Sequence, residues 1–474
     1  MATTGNPLRI YTLDDLPPEV VAVTFARTSR SPESFDEIAR ELTEESSSRF
    51  HEKWVVGYGH SSVAEHAVLS IAVENVSILG AKIIEDNRLS SFTEKSTRYQ
   101  VMSSDNYYTP SVFSEDAAGE IYRAAVRDLY DTYEALLPDA RRFAEEKYGC
   151  PSWRERGVTP GGKACDTVRG LLPAAAKTNL GWTVNARSLR HAVVKLGSHP
   201  LEEMRDLAEG LTRVAGERVP TLLRYTEPSP YLSGWEERVG ELVPDGGART
   251  STENGDGSSV RLVEHDPAGE RAVLRAILFR AGGSSYDDLR RGVDGWSRER
   301  VSAALEEALR GVGDHEAPVR ELEATTYTFE ITCDFGAYRD VQRHRMATQT
   351  RQPLTAELGY VIPDDAREAG VAAPMTEGLE RVRDAWRALR EVDGTAAQYV
   401  VPLAYRVRFL MSMNLREAYI FCRLRSRVQG HESYRRIAWA VRDEIERVHP
   451  MLGRLIPVDR QTAGSALVEK EVER

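Results

Sequence analysis

Apolar and polar positions alternate with a period of two through Leu69, Ile71 and Val73, and again through Tyr327, Phe329 and Ile331. Each alternation predicts a strand with one buried face. Longer stretches repeat every three to four residues and predict helices over 118–147, 201–219, 375–392 and 432–448. Two apolar runs, 23–27 and 276–280, read as strand-like openings of two halves. Strands interleaved with long helices predict an α+β fold with a mixed or antiparallel sheet in each half.

The halves repeat one another. Asp86-Asn87-Arg88 is followed, after seven residues, by Ser96-Thr97-Arg98-Tyr99. Arg343-His344-Arg345 is followed, after the same gap, by Pro353-Leu354-Thr355. Pro173 with Asn185-Ala186-Arg187 downstream corresponds to Pro402 with Asn414-Leu415-Arg416. Ordered landmarks with so long a period indicate duplicated domains rather than a solenoid. Between them, 244–259 is almost free of apolar residues and cannot bury enough surface to offset ordering, which predicts a flexible linker. The expected domains are therefore 1–243 and 260–474.

Composition narrows the function classes. Hydrophobic residues at 41% and charged residues at 28% suit a globular protein, and no apolar run approaches the ~20 residues of a membrane span. A net charge of -11 argues against wholesale nucleic-acid binding, despite the basic cluster from Arg416 to Arg436. Four cysteines without a C-x-x-C pair suggest neither a disulfide framework nor a zinc site, and a cytoplasmic location is expected. His60 and His66 lie six apart, which is not the i,i+4 spacing of a helical metal pair, so no metal is expected.

The candidate chemistry follows the second alternating strand. There 335–345 has helical spacing, with Arg339 and Arg343 on one face and the cationic triplet at the end. Cations suit the negative end of a helix dipole, so a solvated helix terminus explains a lone triplet. The same guanidinium groups also suit an anion, because they bind phosphate through paired, planar hydrogen bonds.

Gly59-His60-Ser61-Ser62-Val63-Ala64-Glu65-His66, Glu94-Lys95-Ser96-Thr97-Arg98-Tyr99, Arg343-His344-Arg345 and Trp182-Thr183-Val184-Asn185-Ala186-Arg187 occur in the order found in flavin-dependent thymidylate synthases. The chain resembles that family over most of both halves. The resemblance implies reductive methylation of dUMP to dTMP, with carbon from methylenetetrahydrofolate and hydride from FAD reduced by NADPH. It implies that Arg343, His344, Arg345, His60, Ser62, Glu65, Asn185 and Asn414 hold FAD. Glu94, Ser96, Arg98, Tyr99 and Arg425 would hold the nucleotide, with Ser96 and Arg425 as the catalytic pair. A fixed arginine stabilises negative charge developing on a uracil ring, while hydride transfer belongs to the flavin.

Each copy departs from the pattern differently. The first has Asp86 and Asn87 where the family has Arg and His, with Glu85 beside them, and Lys195-Leu196 stands at its Leu-Arg position. Like charges about 4 Å apart interact by about 4 kcal/mol at an effective dielectric near 20, so a diphosphate is disfavoured there. The second copy keeps the triplet and Leu424-Arg425, but has Arg351, Pro353 and Thr355 in place of glutamate, serine and arginine. Family members are tetramers with sites between subunits, so the resemblance implies a homodimer forming a pseudo-tetramer with shared sites. Two alternatives stand beside this one: flavin-dependent modification of another uracil nucleotide, and an inert binding or scaffold protein.

Overall fold

The computed structural model describes residues 9–13, 15–57, 61–243, 258–313 and 316–461. His60, the 244–257 part of the expected linker, and Asp314-His315 lie outside the described residues. The chain divides into two compact units that do not coincide with its two halves. One comprises Met1–Val76, Asn87–Glu94 and Thr178–Pro244; the other comprises Ser77–Asp86, Lys95–Lys177 and Asp245–Arg474.

In the first unit, β1 (Val68–Ser77), β2 (Ser90–Glu94) and β3 (Lys177–Asn185) form a sheet in the order β1-β3-β2. β2 runs antiparallel to β3, and Phe92 stacks on its cross-strand partner Trp182 at 5.8 Å. The apolar run at 23–27 is helical, inside Pro18–Thr28, and not a strand. Pro18 sits in the first turn, where its missing N–H costs nothing, and Val20 and Val23 fall on one buried face. Its β-branched residues mimic a strand when read locally. The same holds for 276–280, which lies within the helix Gly269–Ala281.

The second unit is built on an antiparallel sheet of β4 (Ser259–His265), β5 (Thr326–Asp334), β6 (Thr348–Arg351) and β7 (Arg406–Asn414), in the order β4-β5-β7-β6. Tyr327, Phe329 and Ile331 on β5 have no exposed surface, as their alternation requires. β4 lies at the sheet edge with no fully buried residue, which explains its weak sequence signal. Two long helices, Ala117–Tyr148 and Ala372–Val392, also belong to this unit, joined by a two-pronged pair from Arg381 to Asp128 at 2.9 and 3.0 Å.

Equivalent segments of the two copies meet here about a local two-fold axis. Pro173 and Pro402 oppose each other in an antiparallel bridge. Ala174 N–H donates to Val401 O and Leu403 N–H to Leu172 O, both at 2.9 Å. Further out, Ala175 N–H donates to Tyr399 O at 2.8 Å and Ala404 N–H to Gly170 O at 2.9 Å. Exchanging the copies maps each bond onto its counterpart, which is the signature of an isologous contact. The free carbonyls then receive helix starts: Ile78 and Leu79 donate to Ala176 and Ala174, and Phe335 and Gly336 to Tyr405 and Leu403.

The seam is buried, so its N–H groups have no access to water. Ala174→Pro removes the donor to Val401 and is expected to cost about 3 kcal/mol, the upper range for an unsatisfied buried group. Urea unfolding of the full chain, followed by circular dichroism, measures that loss.

Candidate functional site

β5 ends at Asp334, whose side chain accepts the Ala337 N–H at 2.7 Å and caps the helix Phe335–Val341. That helix stops two residues before the triplet, so Arg343, His344 and Arg345 sit on the following turn. Arg343 is exposed and lies 3.8 Å from Asp340. His344 is buried, with Nδ1 2.8 Å from Glu417 Oε1. Its Nε2 accepts from Arg425 Nε at 2.9 Å, so the ring carries its proton on Nδ1. Burial holds the His344 pKa below the ordinary histidine range, with the Glu417 bond opposing it. Asn414 accepts the Glu417 N–H at 2.9 Å and caps the helix Leu415–Arg425, so it fixes the turn that carries this glutamate.

The first copy's arm belongs to the same unit. Arg339 Nη1 donates to Thr97 Oγ1 at 3.0 Å, linking the arm to the helix that precedes the triplet. Ser96 Oγ accepts the Arg98 N–H at 3.2 Å. Arg98 Nε and Nη2 each donate to Asp166 at 2.8 Å, Nη2 also reaches Gln429 O at 2.9 Å, and Nη1 donates to Tyr434 Oη at 3.1 Å. The Tyr434 ring lies 5.9 Å from the Arg98 guanidinium and 5.6 Å from that of Arg425. One tyrosine from the second copy therefore contacts both the retained arginine of the first copy and the retained arginine of its own.

Carboxylates balance these cations. Burial disfavours charge on Asp166, but Arg98, His431 and Arg169 outweigh it and hold the pKa below the usual carboxylate range. Asp340 is held low in the same way, against burial, by Arg169, Arg425, Arg98 and Arg343. Burial lowers the Arg425 pKa, with Asp340 and Tyr434 opposing the shift. Arg169 Nη2 is buried and has no hydrogen-bond partner among the described residues. Unused buried donors of this kind suit an anionic group.

The two-fold counterpart of this cluster is built differently. Lys82 and Glu85 occupy the positions of Arg339 and Gln342 and form a buried ion pair with each other. Gln398 stands where the first copy has Arg169, and its Oε1 accepts the Leu354 N–H at 2.9 Å. Thr355 takes the place of Arg98. The repeat thus has one cation-rich cluster and one counterpart without it.

Of the remaining expected site residues, Ser62, Glu65, Glu94 and Asn185 fall in the first unit and Tyr99 in the second. Ser62 and Glu65 lie on the short helix Ser61–Glu65, and Glu65 pairs with Arg187. Glu94 ends β2 opposite Leu180, and Asn185 accepts the Ser188 N–H at 2.8 Å to cap the helix Ala186–Gly197. Tyr99 is exposed, 5.7 Å from the Arg98 guanidinium. Asp166, Arg169, Asp340, Glu417 and Tyr434 were not foreseen from sequence. Asp166 and Tyr434 meet Arg98 across 68 and 336 residues, a separation at which no local pattern survives.

An α+β fold of two homologous halves, with an arginine-rich cluster drawn from both, defines a thymidylate synthase-like protein. The chain belongs to the family described as "Thymidylate synthase complementing protein", which matches residues 12–221 and 261–451. A "UPF0159 protein" of Chlamydia muridarum is 33% identical, over 93% of this chain and 90% of its own length. Another from Thermoplasma acidophilum is 28% identical over 86% and 88%. A "Flavin-dependent thymidylate synthase" of Clostridium tetani is 27% identical over 45% of this chain and 83% of its own. The half-length match to the last and the near full-length match to the first two agree with a duplicated chain.

Two outcomes test the electrostatics. Asp166→Ala leaves Arg98 buried without its carboxylate and is expected to cost about 3–5 kcal/mol in denaturant unfolding. Burial and the Arg169 charge push the His431 pKa down to about 3, with Asp166 opposing. An unfolded histidine protonates near 6.5, so as pH falls from there to about 3 the unfolded chain gains a proton that the fold refuses. Stability should therefore fall with pH in this window. His431→Asn should remove about 2 kcal/mol of the loss between pH 6.5 and 5, read from urea midpoints.

Proposed function

We propose that the chain carries one flavin- and nucleotide-binding site, assembled from both copies, at which dUMP is reductively methylated to dTMP. Methylenetetrahydrofolate is the carbon donor and NADPH the reductant. The observation that carries this reading is the shared contact of Arg98 and Arg425 with Tyr434, beside the triplet. Arg343 and Arg345 suit the flavin diphosphate. When bound, FAD supplies the hydride. His60, Ser62, Glu65, Asn185 and Asn414 are assigned to the flavin side, and Glu94, Ser96, Arg98 and Tyr99 to the nucleotide.

Arg425 is assigned to the uracil, where its charge stabilises the anion developing on the ring. His344 has both ring nitrogens engaged, by Glu417 and Arg425, so its role is to aim that guanidinium. A homodimer of the chain would supply the four-domain plan implied by the family.

One feature favours a second reading. Four of the five Arg98 N–H groups already have protein partners, and Asp340 lies among the arginines. Both reduce the attraction for a phosphate dianion and favour a less charged uracil compound as acceptor. Equilibrium dialysis separates the readings. The first expects one FAD per chain, a loss of about tenfold or more in FAD affinity for Arg343→Ala, and loss of dUMP but not FAD affinity for Arg98→Ala. FAD binding without dUMP binding supports the second reading. A protein that takes up no FAD overturns both.

A further inference from the structure

Asp166 also lines a cavity of about 190 Å³ whose other walls include Tyr148, Trp153, Lys163, His431 and Trp439. Its polar groups are unevenly matched. Asp364 pairs with Arg367 and Arg436, Asp365 with Lys147 and the Tyr148 hydroxyl, Glu368 with Lys147, and Glu432 with Arg436. Asp166 itself is held by Arg98. Each carboxylate on the wall therefore touches a cation, with Lys147 shared by Asp365 and Glu368.

Two donors on the same wall have no such partner. The Lys163 ammonium makes no hydrogen bond or ion pair among the described residues and rests 5.2 Å from the Tyr148 ring centre. His431 is 7% exposed, and its Nδ1 accepts the Ser433 N–H, so the ring proton lies on Nε2. No acceptor for that Nε2–H is present among the described residues. Burial lowers the Lys163 pKa, and Asp166 and Asp365 oppose the shift. The Lys163 charge also acts on His431, which places the two donors within electrostatic reach of each other. A cation and an N–H that line one cavity without a protein partner among the described residues define an acceptor-seeking site.

We infer that this cavity is a second ligand site, separate from the triplet, for a small organic monoanion whose carboxylate meets Lys163 and His431. Trp153, Trp439 and Tyr148 supply apolar surface for a flat body. A dianion is disfavoured, because five carboxylates share the wall and an extra charge adds repulsion. The volume suits a single ring rather than a nucleotide or a dinucleotide cofactor.

Benzoate is the probe, titrated calorimetrically into the full chain. Saturable binding is expected, weakened at least tenfold by Lys163→Met and restored to within about threefold by Lys163→Arg, which keeps the charge. Peptide mapping after brief acetylation gives a readout on the wild-type chain: benzoate should protect Lys163 and leave other modified lysines unchanged. Absence of saturation overturns the inference. So does unchanged affinity in a folded Lys163→Met variant, or benzoate binding that leaves Lys163 as reactive as before.

Discussion

The symmetric backbone pairing around Pro173 and Pro402 is the contact on which the second unit depends. Its four hydrogen bonds join segments from the two halves of the chain, and its outward carbonyls receive the first turns of the helices Ile78–Ile84 and Phe335–Val341. Those helices in turn set where each copy's motif segment begins. A buried antiparallel pairing tolerates no one-residue slip, because a slip reverses every side chain. Correct placement of the cationic triplet is thus inherited from backbone pairing some distance away.

Symmetry at the seam contrasts with asymmetry of charge beyond it. On one side, Arg98, Arg169, Arg343 and Arg425 gather around Asp166 and Asp340. On the other, Lys82 and Glu85 neutralise each other and Gln398 serves a backbone amide. A buried ion pair contributes little net stability, since desolvation offsets attraction. The Lys82–Glu85 pair is better understood as a neutral filler that preserves packing where the cluster is missing.

Much of this was legible in the sequence, for identifiable reasons. Tyr327, Phe329 and Ile331 have a clear period, and they lie in the strand Thr326–Asp334 as that period requires. The helix Glu432–Val448 matches its expected bounds, because both ends coincide with the limits of the apolar period. The runs at 23–27 and 276–280 misled, because a short apolar run occurs in helices as readily as in strands. Complementary losses in the two motifs led to the expectation of shared sites; Ser96, Arg98, Arg343, His344 and Arg425 lie in one unit, and Ser62, Glu65, Glu94 and Asn185 in the other. Their partners were invisible, since Asp166, Glu417 and Tyr434 carry no motif and are chosen by tertiary packing.

The seam has a consequence for inheritance. In an oligomer of identical subunits, every substitution appears on both sides of a two-fold axis, so a change that ruins one site ruins its symmetry-related copy. Here the axis relates two stretches of a single gene product, and each position mutates alone. One side was free to drift toward inert filling while the other kept its charge. Joining the copies end to end converted a symmetric architecture into one that can divide labour between its halves.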